Sequence, residues 1–149
     1  MGVPAKTKWL LLVYRIPNEP SAGRVFLWRK LKQLGAVAVQ DAVWVLPRTG
    51  KTVEQFQWLA AEITAREGQA MVWESEQVYA TDPDSLWREF LEPVEAEYRE
   101  ILVALKKKNR DLVALSKQFQ STQTRDYFAS ELGCETREKL LAATGDEAS

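Results

Sequence analysis

The amino-acid sequence predicts an α+β fold, in which an antiparallel sheet with two helices is followed by a helical region. Three observations predict it. Over the first 80 residues, short apolar runs alternate with stretches in which apolar residues recur at helical spacing. Two of the apolar runs are separated by only two residues, as in a β-hairpin. Beyond this part, apolar residues recur every seven positions. We therefore predict a sheet domain at 1–80 and a helical extension at 81–149.

The first strand and the first helix have recognisable ends. A continuous apolar run stops at Pro17 and predicts a strand near 8–16 that is buried on both faces. Ser21 is a favourable N-cap for a helix near 21–34, and Gly35 supplies its end. The inner stripe of this helix is predicted to contain Phe26 or Leu27, together with Leu31 and Leu34.

Two short β-type runs follow the first helix. They predict strands near 36–40 and 43–47, and Pro47 ends the second of them. Asp41 and Ala42 alone lie between the two runs, which indicates a hairpin with a tight turn.

A second helix and a fourth strand complete this half of the chain. Thr52 is expected to cap a helix near 52–67, and Gly68 to end it. Residues 69–78 then alternate between apolar and polar, as a strand does. The resulting order of strand, helix, strand, strand, helix and strand is the ferredoxin-like βαββαβ plan, an antiparallel sheet with two helices.

The remainder of the chain has helical punctuation and a seven-residue apolar repeat. Asp82 and Pro83 suit a helix start, Pro93 predicts a kink or a restart, and Asn109 suits a break between two helices. Two interpretations of the repeat stay open: a helix or helix pair packed on the sheet, or a seam that pairs two subunits in a homodimer. The repeat contains Leu91, Tyr98, Leu105, Leu112 and Phe119. The other seam positions are occupied by Trp87, Val94, Ile101 and Leu115.

Composition argues against catalysis. The chain has no histidine and one cysteine, Cys134, which removes histidine-based nucleophile pairs, intrachain disulfides and the common Cys/His metal sites. Its carboxylates lie on predicted strand and helix surfaces rather than in a cleft. We therefore expect no enzyme activity, no cofactor and no metal. The sequence shows no secretory signal and no membrane-length apolar run, so we expect a cytoplasmic protein without membrane contact.

The charged residues are unevenly distributed along the chain. Residues 1–51 contain nine basic and two acidic residues, whereas residues 52–100 contain three basic and twelve acidic ones. A basic surface with interleaved aromatic residues suits DNA or another oxyanion. The alternative is that these cations pair with the acidic part, within or between subunits. The candidate binding residues are Arg24, Arg29, Lys30 and Lys32 on the first helix, whose Trp28–Leu31 side is expected to face the sheet, and Arg48 after the hairpin.

Three stretches of the chain carry a family resemblance. They are WLLLVYRIP at 9–17 with SAGR at 21–24 and WRKL at 28–31, LGA at 34–36 with QDAVWVLP at 40–47, and RDYF at 125–128. Together they resemble the N-terminal region of the ChrB family of chromate-resistance regulatory proteins, which usually has an Asp-Gly turn where this chain has Asp41 and Ala42. The residues taken from these motifs as structural are Trp28, Asp41, Arg125 and Asp126.

The resemblance implies a bacterial cytoplasmic protein in the transcriptional control of a chromate-responsive operon. Longer family members carry a second, C-terminal domain, and we expect this chain to be without it. We therefore expect a stand-alone module that acts alone or with a separate partner regulatory protein. The alternative is a protein-interaction and dimerisation module that touches no nucleic acid. Arg125 is expected to bind a carboxylate with both arms of its guanidinium group, with Tyr127 and Phe128 packed inward.

Overall fold

The structure is a computed structural model and describes residues 7–19 and 21–148. The chain divides into two compact units, Met1–Leu86 and Trp87–Ser149, here called the sheet unit and the helical unit. The division falls shortly after residue 80.

The sheet unit contains four strands and two helices. These are β1 (Trp9–Arg15), α1 (Ala22–Leu34), β2 (Val37–Gln40), β3 (Val43–Pro47), α2 (Gly50–Ala65) and β4 (Gln69–Ser75). All three strand pairings are antiparallel, and the order across the sheet is β2-β3-β1-β4. Helix α2 packs against β1 and β4, and α1 packs beside α2. The predicted α+β class and four-stranded antiparallel sheet are thus confirmed.

The core of the sheet unit forms around the central strand β1. Trp9 and Leu10 are neighbours in the strand and therefore point to opposite faces, yet both are buried. Leu12 of β1 and Leu46 of β3 have no exposed surface at all. The prediction that the first strand is buried on both faces is therefore correct for its first residues. The buried helix residues of this unit are Gly23, Leu27 and Leu31 of α1, and Thr52, Phe56, Leu59 and Ile63 of α2.

The helix ends differ in part from the expected ones. Gly35 ends α1 in the left-handed region at φ 75°, as predicted, but the Ser21 side chain makes no cap hydrogen bond. Helix α2 begins at Gly50, and its N-cap is Thr49, so the prediction of Thr52 as the cap is wrong. The two threonines bond each other: Thr49 Oγ1 accepts from the Thr52 N–H at 3.0 Å, and the Thr49 N–H donates to Thr52 Oγ1 at 2.8 Å. Thr52 fills the place that Glu or Gln takes in the usual capping box.

The predicted hairpin is present. Gln40 pairs with Val43, which leaves Asp41 and Ala42 as the turn. Ala42 has a φ of 64°, a conformation that glycine adopts more easily than alanine. The Tyr14 N–H donates to the Ala42 carbonyl at 3.1 Å and so ties the turn to β1.

Strand β4 is shorter than predicted. It ends at Ser75, whereas the alternating pattern runs to Val78. Ser75 pairs with Trp9, the first residue of β1, so the residues after it have no partner strand. Val78 is accordingly 97% exposed.

The helical unit is built from α3 (Ser85–Leu105), α4 (Leu112–Gln123) and α5 (Glu131–Ala148). Asp82 and Pro83 form a turn before α3 rather than its first residues, and the Ser85 N–H donates to the Asp82 carbonyl at 3.1 Å. The helix runs through Pro93 without restarting. The predicted break at Asn109 is confirmed, because Asn109 lies between α3 and α4.

The seven-residue repeat forms the core of the helical unit. The repeat is interrupted by the turn between α3 and α4, so its residues on the two helices pack against one another within the chain. These residues need no second subunit to be buried. A homodimer stays a prediction that this packing does not require. The buried cluster consists of Val94, Tyr98, Ile101, Leu105, Leu115, Phe119, Leu140 and Ala143.

Candidate nucleic-acid interface

Helix α1 presents a different side to the core from the one expected. Leu27 and Leu31 are four residues apart, share one side of the helix and are buried. Trp28 is rotated about 100° from Leu27 and is 53% exposed. The prediction that the Trp28–Leu31 side faces the sheet is therefore wrong for Trp28. Of the two alternatives for the inner stripe, Leu27 is the correct one.

The cations of α1 divide between two flanks of the helix. Arg24, Trp28 and Lys32 follow one another at a spacing of four residues, and all three are exposed. The Lys32 Nζ atom lies 5.7 Å from the centroid of the Trp28 ring. Lys30 is about 160° from Lys32 around the helix and lies on the opposite flank. Arg29 is exposed on the outward side between the two flanks.

The Lys30 flank contacts helix α2. The Lys30 Nζ atom lies 5.9 Å from the Phe26 ring centroid and 5.7 Å from that of Trp58. The Arg66 guanidinium carbon is 4.7 Å from the Phe26 centroid. Lys30 is therefore engaged with aromatic faces, a cation–π arrangement worth about 0.5–1 kcal/mol per contact at exposed sites. Trp58 and Arg66 were not predicted, because no sequence pattern links one helix face to another.

The cations of α1 have no acidic partners among the described side chains. Within residues 7–19 and 21–145, none of Arg24, Arg29, Lys30 and Lys32 has a carboxylate oxygen within 4.0 Å. The Arg24 Nη1 atom donates instead to the side-chain oxygen of Asn18 at 3.2 Å. The α1 charges are therefore not neutralised by the acidic part of the described chain.

Arg48 behaves differently from the α1 cations. Its Nε atom lies 3.0 Å from Glu74 Oε1, and Lys8 forms a similar pair with Glu76 at 2.5 Å. The structure therefore agrees, for Arg48, with the alternative interpretation that the basic residues pair with acidic residues of the chain. Both pairs are about half exposed, so each contributes little to stability.

The α1 surface left for a partner consists of Arg24, Trp28 and Lys32, with Arg29 beside them; these four residues are called the α1 stripe. Arg24 and Lys32 are about 12 Å apart along the helix axis. Arginine and lysine suit phosphates, and an exposed aromatic ring can stack on a base or insert between base steps. The stripe thus has the chemistry of a nucleic-acid contact.

Asp41 lies in the hairpin turn and is exposed. It lines a surface depression together with Arg24 and with Arg15, a residue that was not singled out from the sequence. The depression is formed by residues that are distant in the chain, which explains why the sequence pattern did not predict it.

Arg125 and Asp126 belong to a polar cluster of the helical unit. The Arg125 guanidinium donates to both oxygens of Glu97, at 2.6 and 2.7 Å, which is the bidentate geometry that we expected. This bond lowers the pKa of Glu97 and raises that of Arg125. Asp126 accepts from the Tyr98 hydroxyl at 2.9 Å and from the Ser130 N–H at 3.0 Å, one residue before α5.

Tyr127 and Phe128 are half-buried against Phe90, with ring centroids 6.1 and 6.2 Å away. Burial raises the pKa of Tyr127 to about 12. The RDYF stretch is thus engaged in hydrogen bonding and packing inside the helical unit.

The described part of the chain contains neither a candidate metal-ion cluster nor a helix suited to span a membrane. No group of three or more potential ligands among its Cys, Asp and Glu residues is arranged to hold a metal ion. None of the helices described combines the length and the apolar character needed to cross a membrane. Cys134 is exposed on α5.

Comparison with known proteins assigns the chain to a family. A family model described as "Protein ChrB, N-terminal" matches residues 24–113, more than half of the chain. The chain belongs to the ChrB N-terminal family. The match includes the α1 stripe, Asp41 and Arg48, whereas Arg125 and Asp126 lie outside it.

A ChrB relative is much longer than the region that it shares with this chain. The chain is 33% identical over 100 residues to Protein ChrB of Cupriavidus metallidurans (strain ATCC 43123 / DSM 2839 / NBRC 102507 / CH34). The aligned region covers 67% of this chain but only 30% of that relative. No solved structure matches the chain. Membership of the ChrB family links the chain to chromate resistance.

Proposed function

We propose that this chain is a non-catalytic, cytoplasmic regulatory protein of chromate resistance that contributes to transcriptional control of a chromate-responsive operon by binding DNA through the α1 stripe. The observation that carries the proposal is the exposed Trp28 between two cations, Arg24 and Lys32, that have no carboxylate partner in the described residues. Unpaired cations retain their full attraction for phosphate, whereas paired cations such as Arg48 must first lose a partner.

The fold supports this use of α1. We propose that the sheet unit has the ferredoxin-like topology, which is consistent with its element order and with the strand order β2-β3-β1-β4. In such a unit the sheet covers one side of each helix and leaves the other side to solvent. The α1 stripe lies on a regular helix rather than on a loop, so the spacing of its cations is fixed.

The test is a fluorescence anisotropy titration of promoter DNA from a chromate-responsive operon at several salt concentrations. The stripe offers three cations, so the slope of log K against log salt should be about −2.7 or shallower. Affinity should then fall by up to about fortyfold between 50 and 200 mM salt. The double variant Arg24→Glu plus Lys32→Glu should lose binding while keeping its helical circular dichroism.

The matched control is Lys107→Glu plus Lys108→Glu. These lysines are exposed in the turn after α3, and the change in net charge is identical. The control should still bind, because its charges lie outside the stripe. Equal loss in both variants would mean that only overall charge matters. Absence of any affinity of the native protein at low salt would refute DNA binding by this chain.

A second candidate function is a protein-interaction module that dimerises or binds a partner regulatory protein without touching DNA. Met71 and Trp73 favour it, since both are 54% exposed on the edge strand β4. Adjacent exposed apolar residues are typical of protein contacts. Light scattering of the native protein and of Trp73→Gln tests this function. A monomer at high micromolar concentration would exclude the homodimer, and an unchanged dimer in the variant would place the interface elsewhere.

A further inference from the structure

The two edge strands of the sheet, β2 and β4, differ in how well they are protected against pairing with a further strand. Strand β2 has only four residues and an irregular register between Ala38 and Gln40, and both features hinder edge pairing. Strand β4 has seven residues in unbroken register with β1 and contains neither proline nor lysine. Among the described residues, the outer edge of β4 has no partner strand. This edge is therefore the one suited to accept another strand.

The single charged residue of β4 does not protect this edge. It is Glu74, whose Oε1 atom lies 3.0 Å from Arg48 Nε. Arg48 follows β3, which lies on the far side of β1 from the outer edge of β4. The carboxylate is thus engaged by a cation from the interior side of the strand.

Two large apolar side chains are exposed along β4. Met71 and Trp73 are two residues apart and therefore lie on the same face of the sheet. Each of them is 54% exposed. A strand added at the outer edge of β4 would place one side chain beside each of them on that face.

We propose that β4 pairs antiparallel with β4 of a second copy of this chain, around a two-fold axis at Val72. Val72 is the middle residue of β4, so this register pairs all seven residues. It places Met71 of each copy opposite Trp73 of the other copy, and this contact occurs twice. A thioether beside an indole ring is a favourable contact, and the flexible methionine side chain adapts to the shape of the ring. The edge is in this sense complementary to itself.

The other two-fold registers are less favourable. Residues opposite each other in a sheet share a face, so the axis has to pass through a residue position. An axis at Met71 or at Trp73 pairs only residues 69–73 or 71–75 and separates the two side chains from each other. In the proposed register the two Glu74 residues are offset by about 14 Å along the strands, which is more than the Debye length at physiological salt.

This inference deepens the second candidate function, self-association, and rests on it, whereas it does not depend on DNA binding. A two-fold axis between antiparallel strands is perpendicular to the sheet, so the helices of both copies lie on the same face of the joined sheet. The dimer then presents both α1 stripes on one side. Loss of the dimer with retained DNA affinity, or the reverse, separates the two proposals.

The first experiment is sedimentation equilibrium of the full chain from low to high micromolar concentration. The strand is only about 24 Å long, so the interface is small and a reversible dimer is expected. Met71→Lys plus Trp73→Lys sets lysines opposite each other and should raise the dimer Kd at least about tenfold. Met71→Glu plus Trp73→Glu should do the same. An equimolar mixture of the two variants should dimerise again, because each lysine then faces a glutamate.

A matched control is Val113→Lys plus Leu141→Lys. These two residues are 68% and 62% exposed on α4 and α5, and their replacement removes apolar surface and adds the same charge away from β4. The dimer Kd of the control should stay within about twofold of the native value. Circular dichroism checks that every variant is folded.

A second experiment measures the register without adding charge. Single cysteines are placed in β4 of a Cys134→Ser background, and disulfide formation is followed with oxidised glutathione. Two Val72→Cys residues would face each other with Cα atoms about 5 Å apart, within the range of a disulfide. Met71→Cys and Trp73→Cys would each be about 8 Å from their own copies, too far for a disulfide. Ala70→Cys is the matched control, since Ala70 lies on the same face as Val72, is equally half-buried, and would be about 14 Å from its copy.

Several results would overturn the proposal. A native chain that stays monomeric at high micromolar concentration removes both the homodimer and this interface. A dimer that the lysine variant does not weaken, or that the control weakens equally, refutes the β4 interface while leaving self-association standing. Disulfide formation that is fastest at position 70, 71 or 73 refutes the register. If β4 instead pairs with a strand of another protein, the chain alone is monomeric and the proposal fails.

Discussion

Breaking the Glu97–Arg125 ion pair should destabilise the helical unit by more than breaking an exposed surface ion pair would. The two side chains are only 28% and 22% exposed and share two bonds of 2.7 and 2.6 Å. Glu97 also accepts from the Thr122 hydroxyl at 3.2 Å. Arg125→Ala leaves this half-buried carboxylate with that single neutral partner, so we expect a loss of about 2–3 kcal/mol in the free energy of unfolding.

A double-mutant cycle measures the pair itself. Glu97→Ala, Arg125→Ala and the double variant are unfolded in urea and followed by circular dichroism at a helix wavelength. Hydrogen bonds to charged groups contribute about 1.5–3 kcal/mol when buried, and partial exposure reduces this, so we expect a coupling energy of about 1.5–2 kcal/mol.

The chain provides a matched control pair. Lys139 and Glu135 are one helical turn apart in α5, with 3.3 Å between their charged atoms and side chains 57% and 50% exposed. The same cycle on this pair should give about 0.3–0.5 kcal/mol. A Glu97–Arg125 coupling no larger than the control would refute the view that partial burial gives this pair its strength.

Three further predictions concern other positions. The pKa of Glu97 is lowered from 4.5 in the folded state, so the stability advantage of the native protein over Glu97→Gln should be complete well above pH 4.5 and should shrink as the pH falls below it. Urea titrations at pH 7 and pH 3.5 that show the same advantage at both would contradict this prediction. Ala42→Gly should raise the free energy of unfolding by up to about 1 kcal/mol, because the φ of 64° costs alanine more than the added chain entropy of glycine; a loss of stability in thermal unfolding would count against this reasoning. Gly133→Ala should lower the free energy of unfolding by about 1–3 kcal/mol, because its Cβ atom would lie 2.9 Å from both the Asp126 Oδ2 atom and the Tyr98 ring. Gly145→Ala is the control: its Cβ atom would meet nothing within 4 Å, so the melting temperature should not fall.

Most of the sheet unit could be predicted because its signals are local. Pro17, Gly35 and the two residues of the turn set the order of the elements whatever the tertiary context. The errors arise where contacts with a distant part of the chain determine where an element ends. Strand β4 stops at Ser75 because β1 provides no partner beyond Trp9, and a sequence pattern does not reveal where a partner strand begins.

The candidate site was predicted less completely. Sequence reasoning identified the cations of α1 but placed Trp28 toward the sheet, because a large aromatic residue is usually buried and helical spacing allowed either Phe26 or Leu27 inside. It gave the geometry of the Arg125 contact but not its acceptor, since Glu97 is 28 residues away in the sequence. Arg15 was missed because only the folded loop brings it beside Arg24.

The position of β1 in the sheet has a consequence for synthesis of the chain. It is made before both of its neighbours, β3 and β4, and the second of them is made only after both helices of the sheet unit. Until residues 69–75 emerge, the apolar strand from Trp9 to Val13 has one edge without a hydrogen-bonding partner. Exposed apolar strands of this kind are prone to aggregation during folding. The nascent sheet unit should therefore depend on chaperones more than the helical unit, whose contacts form between successive helices.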